Sequence, residues 1–111
     1  MDNIPKLKRI EESNVLKKTL ALARKKGLIF EGNELSQSLL LKWLRQVYHL
    51  NIAVKPYSFI YDIAKTKYEV IIFCASKKHN FKEPRYRDFK SYEEAMEFGL
   101  RVALREIKTE T

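Results

Sequence analysis

Leu16, Leu20 and Ala23 recur at i, i+4 and i+7 between Ser13 and Lys26, the spacing that lines one side of a helix with 3.6 residues per turn. Gly27 follows at once and tolerates the left-handed backbone that closes a helix, so a first helix is predicted over 13–26. From Ser36 to His49 a second arc, Leu39, Leu40, Trp43, Val47 and Leu50, opposes Ser38, Lys42, Arg45 and His49. It predicts a second helix with that arc in the core. The period then shortens. "NIAVKPY", "SFIYDIAK" and "KYEVIIFCA" are rich in β-branched and aromatic residues and read as three strands. A hairpin with its tip at Lys65-Thr66 would pair Ile63 with Tyr68, Tyr61 with Val70, Phe59 with Ile72 and Tyr57 with Cys74 on the core side. The other side would carry Ala64/Lys67, Asp62/Glu69, Ile60/Ile71 and Ser58/Phe73, a face only partly covered.

The strongest local signal is "SYEE", in which Ser91 caps a helix and Glu94 stands three residues on, as in a capping box. Tyr92, Ala95, Met96, Gly99, Ala103 and Ile107 then form an inner stripe with Phe98, Leu100 and Val102 on its flanks, while Glu97, Arg101, Arg105 and Lys108 point outward. Trp43 and Tyr92 are expected on the sheet face that carries Phe59, Tyr61 and Ile72. The predicted class is α+β: helices on an antiparallel sheet of three strands, or four if "RYRDF" pairs, in the order α-α-β-β-β-(β)-α. With no internal repeat and no linker rich in Pro, Gly or Ser, residues 1–111 read as one domain, the first ten loosely ordered.

Composition agrees with a globular chain: 45% hydrophobic residues with only 3 Gly and 3 Pro separates it from disordered and low-complexity sequences. One cysteine cannot close an intramolecular disulfide, "MDNIPKLKRI" lacks the apolar core of a secretory signal, and "VIIFCA" is far short of a membrane span. A reduced cytoplasmic setting and no membrane partner are therefore expected. The net charge of +8 is unevenly spread: residues 1–26 carry eight Lys/Arg against three acids, 67–90 seven against three, and 91–111 three against five. Such asymmetry suits a polyanion partner and also serves solubility.

Little in the chain supports catalysis. Cys74 with His79 is the one conceivable thiol–imidazole pair, and the plain reading is a small core residue followed by a surface histidine. His49 belongs on the exposed side of the second helix, and one Cys with two distant His cannot make a zinc site. Asp62 facing Glu69 across the hairpin would repel unless neutralised, either by a divalent metal, as in a metal-dependent nuclease, or by Lys65 and Lys67 close by. No glycine-rich phosphate loop is present, and no cofactor is expected.

Two surfaces are candidates for nucleic acid. The first helix presents Lys17, Lys18, Arg24 and Lys25 with no acid among them. The stretch "SKKHNFKEPRYRDFK" offers Lys77, Lys78, Lys82, Arg85 and Arg87, with Phe81 and Tyr86 as rings for base stacking and Glu83 and Asp88 as diluting acids. Both also read as ordinary solvated faces.

"SLLLKWLRQVYHLNIAVKP", "FIYDIAKTKYEVIIF" and "FKSYEEAMEFGLRVALREI", spanning about 35 to 108, resemble small uncharacterised proteins of gut bacteria and their phages or mobile elements, which join a "KWLR" helix to a "TYEEA"-type helix. From Tyr57 onward, the strand followed by "F…SYEEAMEFGLRVAL" is also similar to HicB-type antitoxins, though without that family's Pro-Asp-Leu-Pro-Gly turn. Double-stranded RNA-binding domains share an α-β-β-β-α order, but they open their last helix with basic residues where this chain has "SYEEAMEFG". The first resemblance implies an accessory protein and the second a protein-binding regulator. The expectation is a small non-enzymatic protein with nucleic acid as preferred partner and a protein partner as the alternative.

Overall fold

Helix α3 (Tyr92–Glu106) is apolar around most of its circumference, and it occupies the centre of the molecule. In the computed structural model, which describes residues 13–59, 62–74 and 84–107 without the side chains of 59 and 62–65, α3 lies across one face of an antiparallel sheet. The other elements are α1 (Lys17–Lys25), α2 (Gln37–Tyr48), β1 (Leu50–Phe59), β2 (Asp62–Cys74) and β3 (Arg85–Phe89), with sheet order β1-β2-β3. The class is α+β, as expected. The predicted loose order of residues 1–10 lies outside the described residues.

The strands divide differently from the sequence reading. "NIAVKPY" and "SF" form one strand, "DIAK" and "KYEVIIFC" another, and "RYRDF" is the third. The ladder runs unbroken from Leu50↔Cys74 to Tyr57↔Lys67, so Lys65-Thr66 is not the hairpin tip. The next pair is Phe59↔Asp62, which leaves residues 63–66 of β2 opposite Ser58 alone. This register faces Leu50, Ile52 and Val54 with Cys74, Ile72 and Val70. A tip at Lys65 would have denied the "NIAV" run that partner, and burial of its branched side chains decides the pairing.

A bulge follows in the β2–β3 ladder. Tyr68 pairs with Phe89 but Val70 with Tyr86, so Arg87 and Asp88 together oppose Glu69. Asp88, one of the two bulged residues, takes a left-handed φ of 74°, and Asp is among the few non-glycine residues that tolerate it. In consequence Tyr86 and Phe89, three residues apart, both meet Phe98 of α3, with ring centroids at 4.8 and 5.1 Å.

Ala95, Met96, Gly99, Leu100, Ala103 and Leu104 of α3 are buried with Leu40, Leu44, Ile52, Val70 and Ile72 in one core. Gly99 sets the approach of helix to sheet: a Cβ there would stand 2.7 Å from Val70 Cγ2 and 2.9 Å from Ile52 Cγ2. Ser91 Oγ accepts from the Glu94 amide at 3.1 Å and Ser36 Oγ from the Leu39 amide at 3.2 Å, capping α3 and α2. Gly27, after α1, has a φ of 109°.

Several predicted faces are rotated. Tyr92 is exposed, whereas Trp43 is half-buried, packed against the core from its rim and edge-on to Tyr48 at 5.3 Å. Leu40 and Leu44 take the core side of α2, leaving Leu39 and Val47 about half exposed. Leu16, predicted on the inner side of the first helix, is its exposed N-cap. Glu97 is buried and Arg101 half-buried rather than outward, because α1 packs against that side of α3. Glu97 Oε1 accepts from the Leu16 amide at 2.6 Å and the Thr19 hydroxyl at 3.0 Å, and thereby caps a helix whose own N-cap residue has no polar side chain. At the other end Lys26 Nζ donates to Ile107 O at 2.8 Å and Tyr48 Oη to Lys26 O at 2.6 Å. Among the described residues no helix is long and apolar enough to cross a membrane.

Candidate nucleic-acid interface

All three described helices lie on the side of the sheet that carries Ile52, Val70 and Ile72; α1 meets α3 and no described strand. Alternation along the strands therefore turns Asn51, Ala53, Lys55 and Tyr57 of β1 to the opposite face, with Phe73, Ile71, Glu69 and Lys67 of β2 paired to them in that order. Arg85 extends the Ala53–Ile71 row, and the bulge delivers both Arg87 and Asp88 beside Glu69. No described helix covers this face.

Its cations come from all three strands: Lys55, Lys67, Arg85 and Arg87. Its two acids are already engaged. Glu69 accepts from Arg87 Nε at 3.1 Å, and Asp88 Oδ1 accepts the Tyr57 hydroxyl at 2.6 Å with Lys67 Nζ 3.8 Å away. Tyr57 Oη in turn accepts from the Asp88 amide at 3.1 Å, which braces the bulge from the neighbouring edge strand. The Asp88 carboxylate on its hydroxyl proton holds the Tyr57 phenol above the usual tyrosine range. Lys55 and Arg85 are exposed and make no ion pair with the described residues.

The sequence candidates fare unequally. Lys77, Lys78, Phe81 and Lys82, like His79, lie outside the described residues. Arg85 and Arg87 reach the open face, but Tyr86 points the other way and packs on Phe98, so it offers no stacking surface; the bulge and strand alternation decide this. Lys17, Lys18, Arg24 and Lys25 are exposed on α1. Arg24, however, donates to Phe30 O at 3.1 Å and to Gly32 O, holding the loop after α1. The remaining lysines of α1 are separated from the sheet face by the helical layer, so the two basic surfaces do not form one site. Asp62 and Glu69 are on the same strand, seven residues and about 23 Å apart, so the opposed carboxylates required for the predicted metal pair do not occur. Among the described residues no group of three or more His, Cys, Asp and Glu could hold a metal ion. Cys74 is half-buried against the core and His49 is exposed at the end of α2, with a left-handed φ of 57°.

Lys55, Tyr57, Lys67 and Phe73 were not among the predicted site residues. The signal for them was the period-2 alternation in "NIAVKPY", which puts Lys55 and Tyr57 opposite Ile52 and Val54 once "NIAV" is paired with "VIIF". No protein-family model, no curated protein and no solved structure matches the chain.

Proposed function

We propose that this chain is a small non-catalytic nucleic-acid-binding protein, an accessory protein of a phage or other mobile element, that holds its ligand on the face of the sheet that no described helix covers. The reading rests on one observation: four cationic side chains from three strands share a face whose two acids among the described residues, Glu69 and Asp88, are already bonded within it. Phosphate oxygens complement such a surface, and β-strands hold the cations at fixed spacing. The accessory role follows the resemblance carried by the "KWLR" and "SYEEA" segments.

The test is a salt titration of binding to fluorescently labelled oligonucleotides, followed by anisotropy. Log K should fall linearly with log salt, by about 0.9 per duplex phosphate contacted or about 0.7 per single-strand phosphate. The Lys55→Gln/Arg85→Gln double variant should flatten that slope, and Lys17→Gln/Lys18→Gln/Lys25→Gln should leave it unchanged. The reverse pattern would move the interface to α1. If nothing binds at low salt, the nucleic-acid reading falls and the antitoxin-like, protein-binding reading replaces it. That alternative is favoured by the stripe of Leu39, Trp43 and Val47 on α2, two of whose members are about half exposed.

A further inference from the structure

We propose that the ligand of the open sheet face is a single-stranded nucleic acid, one base of which stacks on Phe73; the proposal rests on the nucleic-acid reading above. Phe73 stands apart from the other described rings. Tyr86, Phe89 and Phe98 form a cluster at the core edge, Trp43 and Tyr48 meet each other, and Tyr57 is tied to Asp88. Phe73 makes no ring contact among the described residues, does not belong to the core, and is only half-buried on the central strand.

Its surroundings suit a nucleotide. Ile71, the next residue of β2 on the same face, pairs with Arg85, which makes Arg85 a diagonal neighbour of Phe73 at about 7–8 Å between backbones. A base on the ring therefore has a guanidinium within reach of its own phosphate. Directly across from Phe73 is Asn51, whose Oδ1 accepts from the Ile52 amide at 2.9 Å. That bond leaves the Asn51 amide NH₂ as the group able to donate to an acceptor on a base edge.

Strand identity follows from what each form of nucleic acid presents. A duplex hides its base faces and would set sugars and phosphates over the half-buried Phe73 ring and its apolar neighbours Ala53 and the buried Ile71. A single strand can lay a base on the accessible part of the Phe73 ring while its phosphates follow the cations. From Phe73 to Lys67 the face runs six residues, about 20 Å, long enough for a few nucleotides. Base–aromatic stacking accepts any base, so a preference for single strands without strong sequence choice is expected.

The experiment uses the full chain with labelled 12-nucleotide oligo-dT, 12-nucleotide oligo-U and a 12-base-pair DNA duplex at one fixed low salt. Wild-type protein should bind at least one single strand about tenfold or more tighter than duplex. Phe73→Ala should weaken single-strand binding about 5- to 150-fold, the size of one lost stack, and leave duplex binding unchanged. Phe73→Leu, which keeps apolar bulk for folding, should show the same loss, and Phe73→Trp should restore affinity. Oligo-dT and oligo-U together report whether the 2′-hydroxyl is recognised, and preference for either supports the proposal. Duplex binding as tight as single-strand binding, or a single-strand affinity unchanged in Phe73→Ala and Phe73→Leu, would overturn the stacking proposal while the nucleic-acid reading stood. Absence of binding to all three probes would overturn both.

Discussion

Single atoms decide much of this structure. A methyl group at position 99 would meet Val70 and Ile52 at under 3 Å, and both neighbours are buried γ-methyls with little room to move. Gly99→Ala should therefore destabilise the protein by about 1–3 kcal/mol through overpacking. The gain in helix propensity, about 1 kcal/mol, offsets part of this and leaves a net cost of up to about 2 kcal/mol. Urea unfolding should show a lower midpoint at unchanged slope; a midpoint at or above wild type would contradict the close contact. Tyr57 provides a pH signature. With its folded pKa raised above 10.0 by Asp88, the group supports the fold below about pH 10 and loses that contribution as pH climbs through the raised value. Wild-type stability should consequently fall relative to Tyr57→Phe only at alkaline pH, with a small amplitude because the side chain is partly exposed to solvent. Absorbance titration of the tyrosinates, compared between the two proteins, locates the step.

Helix α1 illustrates how far an element's stability can lie outside its own sequence. Nine residues are too few for a helix to persist in water, and α1 has no polar N-cap of its own. Glu97→Ala strips acceptors from the Leu16 amide and the Thr19 hydroxyl, at a cost of about 1–3 kcal/mol, and Glu97→Gln, which keeps an acceptor, should cost less. Hydrogen exchange should speed up in α1 well before α3 or the sheet; uniform acceleration would mean that α1 is not separately held. Ser91→Ala, the loss of one local cap, should cost about 1 kcal/mol. This contrast marks what sequence reveals. The Ser91 cap of α3, the presence and order of the helices and the fold class were legible because they depend on neighbours in the chain, whereas the exact faces turned to the core were not. The role of Glu97 was not, since its partners are 78 and 81 residues away. The hairpin tip was misplaced for a related reason. Lys65-Thr66 has turn-like polarity, but pairing of "LNIAV" with "VIIFC" outweighs it, and the error set Phe73 against Ser58 instead of Asn51, left Lys55 unpaired with Glu69 and set Asp62 falsely against Glu69. The bulge at Asp88 was equally hidden, so Tyr86 was assigned to the solvent side that only Arg85, Arg87 and Asp88 occupy.

The molecule has a sheet layer and a helical layer, with positive charge on both outer sides and an apolar interior centred on α3. A polyanion held by one side cannot touch the other without bending around the edge, and that edge is guarded. On β1 the Asn51 side chain caps the Ile52 amide, and alternation turns the Pro56 nitrogen the same way, where Lys55 stands beside it. Edge-to-edge pairing of copies should therefore be weak. Light scattering of the free protein should show no strand-mediated polymer, whereas Pro56→Val should increase association. The capping of α1 by Glu97 also bears on how the chain is made. During synthesis the segment of α1 leaves the ribosome before the sheet and α3, and the carboxylate that completes it follows about 80 residues later, as does the apolar wall on which it rests. A nascent chain stalled before Glu97 would present Leu20 and Ala23 beside basic side chains, with the sheet's inner face bare. Closure of the core waits for α3, so a chain truncated before it should aggregate more readily than the full chain.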